Sequence, residues 1–367
     1  MRRPPGIGPI NILLGAGLAL LAILQVAAAQ TAQSAPLDAG LDPLITDTLR
    51  EQQIPAMTVA VGLGERLVYS KAFGTADLEN AVPATRETLI RTASIAKSIT
   101  AVAAMTLVQS GKLSLDAPIQ TYCAPFPPKQ WPITTRQLLS HTSGIRHYRE
   151  GEPEYTHHYL WMADGFAIFA NDPLLFRPGT AYSYSTYGYS VVGCAIEGAA
   201  GTRFQDYVAE HVLRPAAMSH TFVDNVFDIL PHRARGYQKI AGQVKNAVLM
   251  DSSYKIPGGG YVTTAEDLVR FAQALLDGKL LQPDLVAEMW TASPVSGPSG
   301  YGLGFQVLDG GKFVMHTGGQ PGTSTELFII PQAHFALAIL ANMDNVRLKD
   351  LVRGIVQQLQ LPAPPPQ

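Results

Sequence analysis

Arg91-Thr92-Ala93-Ser94-Ile95-Ala96-Lys97-Ser98 places one hydroxyl and one amine three residues apart at the mouth of an apolar run. From Ile95 to Val108 the chain is almost entirely Ile, Ala, Val, Met and Leu, Lys97 is the one charge, and Gly111 stands where a helix would stop. The pattern predicts a buried helix starting at about Ser94, with Ser94 and Lys97 sharing a face in its first turn. Burial and the positive end of the helix both disfavour an ammonium there, so the lysine pKa is expected below its usual value near 10.4. Lowering it to near 7, a change worth about 4 kcal/mol, leaves a neutral amine able to take the serine proton. The plainer reading is an N-cap serine followed by a snorkelling lysine, and the local sequence alone supports both. Ser-x-x-Lys is a loose pattern and occurs again at Ser252-Ser253-Tyr254-Lys255. Ile256-Pro257-Gly258-Gly259-Gly260 follows at once, so no helix is expected to bring that second pair onto one face.

The chain opens with Met1-Arg2-Arg3, and after a short Pro/Gly stretch Ile12 to Leu24 is uninterruptedly apolar, ending near Ala27-Ala28-Ala29-Gln30. A positive start, an apolar core and an Ala-x-Ala site predict a secretory signal peptide over residues 1–29, cleaved after Ala29. That implies a periplasmic or secreted protein with no stable membrane anchor after cleavage. An uncleaved signal anchor is the competing reading, because small residues prolong the run to Ala29. Residues 362–367 read as a tail.

Nearly half of the chain is apolar, 15% is charged and the net charge is −2. That balance predicts a large globular unit and argues against nucleic acid or anionic lipid as a partner. Of the two cysteines, Cys123 and Cys194, pairing in an oxidising compartment is one possibility and two free thiols the other.

Ala56 to Gly62 and Arg66 to Phe73 read as a hairpin turning at Gly64-Glu65. From Leu113 to Asp251 short helices and loops rich in Pro, Tyr and His are expected, then an amphipathic helix from Thr264 to Leu276 capped by Thr263 or Thr264. Tyr301 to Leu308, Lys312 to His316, Thr325 to Ile330 and Phe335 to Ala341 read as strands, and Leu348 to Leu359 as a closing helix. The fold class expected is α/β (α+β): an antiparallel sheet flanked by helices, built from the N- and C-terminal parts. One domain is expected over 38–361, with an α/β layer from about 38–112 and 255–361 and a mainly helical insert over about 113–254.

A serine–lysine pair needs a second acid/base group and a strand offering oxyanion and substrate contacts. Tyr184-Ser185-Thr186 precedes an apolar helical run, and Phe313-Val314-Met315-His316-Thr317-Gly318-Gly319 is a strand whose glycines allow close approach of a ligand. Taken together these residues resemble the serine β-lactamase and penicillin-binding superfamily, in its class C β-lactamase and D-alanyl-D-alanine carboxypeptidase branch, which includes esterases. Ser94-Ile95-Ala96-Lys97 matches the Ser-x-x-Lys box, Tyr184-Ser185-Thr186 the Tyr-x-Asn box, and His316-Thr317-Gly318 the Lys/His-Thr-Gly box. Ser140-His141-Thr142-Ser143-Gly144 and Gly259-Gly260-Tyr261-Val262-Thr263-Thr264, leading to Asp267, are similar to flanking family stretches.

The resemblance implies that Ser94 is the acylated nucleophile, Lys97 shares its deprotonation and Tyr184 shuttles the proton. It also implies that Thr186, His316, Thr317, Gly318 and Gly319 contact substrate, with the backbone N–H groups of Ser94 and Gly319 as oxyanion hole. No cofactor or metal is implied. Two departures bear on substrate. Thr186 stands where asparagine would bond an acyl amide, and His316 where class C lactamases carry lysine. A histidine is largely neutral at pH 7, so it attracts a carboxylate less than lysine does. If protonated His316 does bind a carboxylate, selectivity for acidic substrates should fall between about pH 6 and 8.

The expected function is a secreted serine hydrolase acting through an acyl-enzyme on a small-molecule or peptide substrate, D-Ala-D-Ala-type peptidase or esterase/β-lactamase-like. The alternative is a catalytically weak or inactive penicillin- or peptidoglycan-binding protein of the same fold. His141 is expected to stabilise its turn rather than act as a triad base. Glu150, Glu152, Glu154, His157 and His158 are expected to form a solvated flap rather than a metal site. Gly-x-Ser-x-Gly, His-Glu-x-x-His and Walker loops are absent, which leaves α/β-hydrolase, zincin and nucleotide chemistry without support.

Overall fold

Two apolar runs from opposite ends of the chain pair at the centre of one antiparallel sheet, Met57 opposite Ala341 and Leu63 opposite Phe335. The computed structural model describes residues 37–364. The chain divides into two units, 1–43 and 44–367. Residues 37–43 open helix α1 (Leu37–Gln52), which the sequence reading did not anticipate. The second unit holds the sheet, the other helices and every site residue. The signal peptide expected over residues 1–29 and the end of the expected tail lie outside the described residues.

Strand β1 (Ala56–Leu63) turns through Gly64 into β2 (Arg66–Asp77), which pairs with the short β3 (Val82–Pro83). The C-terminal part adds β9 (Gln306–Leu308), β10 (Phe313–Gln320), β11 (Thr323–Ile330) and β12 (Phe335–Ala341). The sheet order is β3-β2-β1-β12-β11-β10-β9, antiparallel throughout. Every residue of β11 and β12 is buried, because helices cover both faces. On one face Ala60, Ala336, Ala338, Leu327 and Ile329 join a core formed with α2 (Ala96–Gln109), α4 (Thr186–Ala200) and α7 (Ala265–Leu276). Burying each large aliphatic side chain there is worth about 1.5–3 kcal/mol. On the other face Met315, Glu326 and Phe328 meet Lys349, Val352 and Arg353 of α9 (Lys349–Gln358).

The middle of the chain is assembled from short pieces, as its Pro, Tyr and His content suggests. They include α3 (Thr135–Leu139), whose Thr134 and Gln137 form a reciprocal capping box, and α5 (Phe204–Val208). A three-stranded sheet is ordered β4 (Ile90–Arg91), β8 (Tyr261–Thr263), β5 (Phe222–Val223), and a hairpin joins β6 (Tyr237–Ile240) to β7 (Gln243–Asn246). α6 (Ile256–Gly259) and α8 (Pro283–Met289) complete the helices. Cys123 and Cys194 are disulfide-bonded, with Cα atoms 5.3 Å apart, tying the loop before α3 to α4.

Two expectations are corrected. Tyr301 to Leu308 is not one strand: only Gln306–Leu308 is extended, and Gly304 adopts φ +83° where a Cβ would stand 2.3 Å from that of Ala101. The segment bends to lie against α2. A helical turn also forms after Ser252: Ser253–Lys255 is 3₁₀ and Ile256–Gly259 is α, with Pro257 in the first turn, where its missing N–H does no harm. Ser252 Oγ still finds no hydrogen-bond partner, so Ser252 and Lys255 do not form a pair.

Glu326 is a buried acid in the middle of β11. Burial lifts its pKa to about 7, with Lys349 pulling the other way. Because the folded value lies above the unfolded one, the stabilisation is complete below about pH 4.5 and is lost as pH rises through 7. Urea unfolding at pH 5 and pH 8 checks this: the wild-type chain should lose up to about 3 kcal/mol relative to Glu326→Gln across that interval.

Candidate active site

Ser94 lies in a 3₁₀ turn, Ala93–Ile95, that leads directly into α2. The helix proper therefore starts two residues later than expected, but the spacing still brings the pair together: Lys97 Nζ stands 3.0 Å from Ser94 Oγ. Ala93, the residue before the serine, is held at φ +45°, a left-handed conformation unusual for alanine. The turn is fixed from outside by Thr325, whose hydroxyl donates to the Thr92 carbonyl at 2.9 Å.

Lys97 is completely buried, and its Nζ donates to the Gly258 carbonyl at 2.8 Å. No carboxylate forms an ion pair with it among the described residues. Burial holds its pKa well below the ordinary lysine value, and the nearby Lys255 lowers it further. Burial therefore favours the neutral amine, which with one N–H on Gly258 has a lone pair to offer the serine hydroxyl. Gly258 can deliver that carbonyl because it has no side chain; a Cβ would stand 2.5 Å from Thr186 Cγ2.

Tyr184 closes the other side of the pair. Lys97 Nζ lies 4.8 Å from the centre of its ring, and its hydroxyl lies near that of Ser94. Burial raises the Tyr184 pKa, and the neighbouring Ser94 hydroxyl offsets only part of that. Burial thus favours the protonated phenol at Tyr184 and the neutral amine at Lys97.

Ser185 caps α4 by accepting the Gly188 N–H at 3.0 Å. Thr186 is the first residue of that helix and is buried, its N–H donating to His147 Nδ1 at 3.2 Å and its side chain near Tyr148. The threonine thus faces a tyrosine wall. His316 is on β10, also buried, with Nε2 2.8 Å from the Tyr301 hydroxyl and Nδ1 2.7 Å from the Thr317 carbonyl. A carbonyl only accepts, so Nδ1 carries the proton and Nε2 accepts from Tyr301. Burial, and then Lys97, pushes the His316 pKa down to about 3. The imidazole is neutral from about pH 4 upward, so the expected charge change between pH 6 and 8 does not occur at this residue. Thr317 and Gly319 are exposed on the same strand. Gly318 is buried, and a Cβ there would stand 2.1 Å from Thr325 Oγ1 and 2.5 Å from the Thr92 carbonyl. Gly318→Ala must therefore drive β10 away from the turn bearing Ser94. It should lower stability by about 1–3 kcal/mol in urea unfolding and reduce ester turnover by about 10²-fold, since small misplacements weigh heavily on rate.

His141 serves its turn, as expected, with φ +59° and Nδ1 accepting the Ser185 N–H at 3.1 Å. Its ring packs 4.2 Å from that of Tyr184 and 4.6 Å from that of Tyr301. The flap reading fails at Glu152, which is buried and bonded to Arg146 at 2.7 Å and to the Tyr187 hydroxyl at 2.8 Å. His158 pairs with Asp251 at 2.8 Å. Among the described residues no group of three or more His, Cys, Asp or Glu could hold a metal ion. The sequence reading missed Lys255, Tyr148 and Tyr301.

A serine–lysine–tyrosine cluster between a two-sided antiparallel sheet and a helical region defines a serine hydrolase-like class of fold. The beta-lactamase family matches residues 41–359, and the chain belongs to that family. It is 28% identical to the human mitochondrial serine beta-lactamase-like protein LACTB, over 76% of this chain and 69% of that protein. A penicillin-binding protein from Bacillus halodurans is 26% identical, with TM-score 0.74 over 86% of this chain and 98% of its own. D-amino acid amidase from Ochrobactrum anthropi SV3, solved with L-phenylalanine amide, is 25% identical, with TM-score 0.77 over 88% of this chain and 98% of its own.

Proposed function

We propose that this chain is an exported serine hydrolase that works through an acyl-enzyme on Ser94, of the D-Ala-D-Ala peptidase or esterase/β-lactamase-like kind. The observation that carries the reading is the 3.0 Å approach of Lys97 to Ser94, by an amine that burial keeps neutral. A lysine serving only to pack or to pair would keep a carboxylate or reach water. The similarity to a penicillin-binding protein and to an amidase supports acyl transfer as the reaction class.

The acid and base roles divide according to the two pKa directions. Lys97 takes the Ser94 proton as Oγ attacks the carbonyl carbon. The oxyanion is met by the N–H groups of Ser94 and Gly319. Tyr184, still protonated, gives its proton to the leaving group and recovers one from Lys97. In deacylation the same groups run in reverse, drawing the proton from a water molecule. Thr317 and Gly319 line the exposed edge where substrate would pair with β10, while the neutral His316 orients that strand through Tyr301. Export is supported by the basic-apolar start of the sequence and by the Cys123–Cys194 disulfide, which persists in oxidising compartments.

Hydrolysis of a D-Ala-D-Ala peptide, nitrocefin and short-chain p-nitrophenyl esters tests the reading. Ser94-dependent turnover is expected, with peptide or ester preferred over nitrocefin. The absence of serine-dependent turnover on every substrate would favour a ligand-binding protein of the same fold.

A further inference from the structure

Lys255 is a cation that the catalytic cycle above does not use. It is 2% exposed and immediately precedes α6, the turn whose Gly258 carbonyl receives Lys97. Its Nζ lies 5.4 Å from the ring centres of both Tyr148 and Tyr254. Tyr148 lies near the Thr186 side chain, and Gly258 packs against the same threonine, so Lys255, Tyr148 and Thr186 form one wall beside Lys97.

No carboxylate among the described residues forms an ion pair with Lys255. The acids of this region are each committed elsewhere: Asp224 to Arg91 at 2.7 Å, Glu152 to Arg146 at 2.7 Å, and Asp251 to His158 at 2.8 Å. Asp224 still acts on Lys255 from beyond ion-pair distance, but a buried ammonium whose direct neighbours are two ring faces is under-compensated, and an arriving anion would gain both its charge and its unused donors. Turning towards a ligand would break no hydrogen bond to a described residue. The strand on the opposite side contributes no such charge, because both ring nitrogens of His316 are occupied. Burial followed by Arg91 brings the Lys255 pKa down to about 7, with Asp224 pulling the other way, so a bound carboxylate would favour the charged form further at neutral pH.

We propose that Lys255, with the wall formed by Tyr148 and Thr186, is an anion subsite that selects substrates bearing a carboxylate near the bond attacked by Ser94. The selection of substrates rests on the hydrolase reading; the binding of the anion does not, and two separate measurements distinguish them.

The first compares matched p-nitrophenyl esters with a carboxylate or an uncharged amide in the acyl part, and a second pair with the same change in the leaving group. In at least one pair the wild-type chain should prefer the acid by 10-fold or more in kcat/KM. Lys255→Met should abolish that preference, read as the ratio of acid to neutral ester so that any common effect through Lys97 cancels, and Lys255→Arg should retain most of it. A wild-type chain without the preference, or a preference unchanged in Lys255→Met, would overturn the proposal. The second measurement is calorimetric binding of glutarate and glutaramide to Ser94→Ala, which requires no turnover. Glutarate should bind at least 10-fold more tightly; equal binding would overturn the subsite even where esters are hydrolysed, and failure of every ester while glutarate binds would overturn only the hydrolase reading.

Discussion

Ser94→Ala is expected to lower ester turnover by about 10⁵-fold or more, leaving only what bound geometry contributes without a nucleophile. Nothing nearby can stand in for the lost hydroxyl. Ser98, the next hydroxyl along α2, donates to the Gly304 carbonyl at 2.7 Å, and Thr92 donates to backbone carbonyls of Ala93 and Tyr261 at 3.2 Å. The variant should fold normally, because Ser94 is half-exposed and its hydroxyl stabilises no element of the core. Rate measurements beside thermal unfolding check both halves: turnover disappears while the melting temperature stays within a few degrees.

Lys97→Met carries the second large effect, a fall of about 10³-fold in kcat with little change in KM, as expected when a positioned base is removed. Stability should move the other way or not at all. The amine occupies a fully buried place, and burial, not a partner, dominates its pKa. Methionine has nearly the same volume and no desolvation penalty, so the variant should be at least as stable as the wild type in urea. A lysine with a purely structural role would give the opposite pattern, with stability lost and the remaining folded protein active. The acid limb of the wild-type rate profile should lie well below the range of an ordinary lysine, in keeping with the direction of the Lys97 shift.

Much of this arrangement was legible in the residues because each part has its own local signature. The apolar run after Ser94 cannot be a surface helix, and the i, i+3 spacing placed Lys97 on the serine at 3.0 Å whether the first turn is α or 3₁₀. Thr264 as a cap and Phe335–Ala341 as a strand emerged at the expected residues for the same reason. What escaped depends on tertiary neighbours. Lys255 reads locally as a surface lysine before a glycine turn, and only the approach of Tyr148 from more than a hundred residues away makes it a buried charge. Glu152 reads as one of several flap acids until Arg146 and Tyr187 converge on it. The protonation states of Tyr184 and His316 could not be read from their types either, since burial moves one pKa up and the other down.

The central claim is that Ser94 is a nucleophile activated by a neutral Lys97, and covalent labelling tests it without knowledge of the natural substrate. Intact-protein mass spectrometry after exposure to a fluorophosphonate should find a single adduct on the wild-type chain, none on Ser94→Ala, and labelling slowed by about 10²-fold or more on Lys97→Met. An unlabelled wild-type chain, or equal labelling of wild type and Ser94→Ala, would contradict the account.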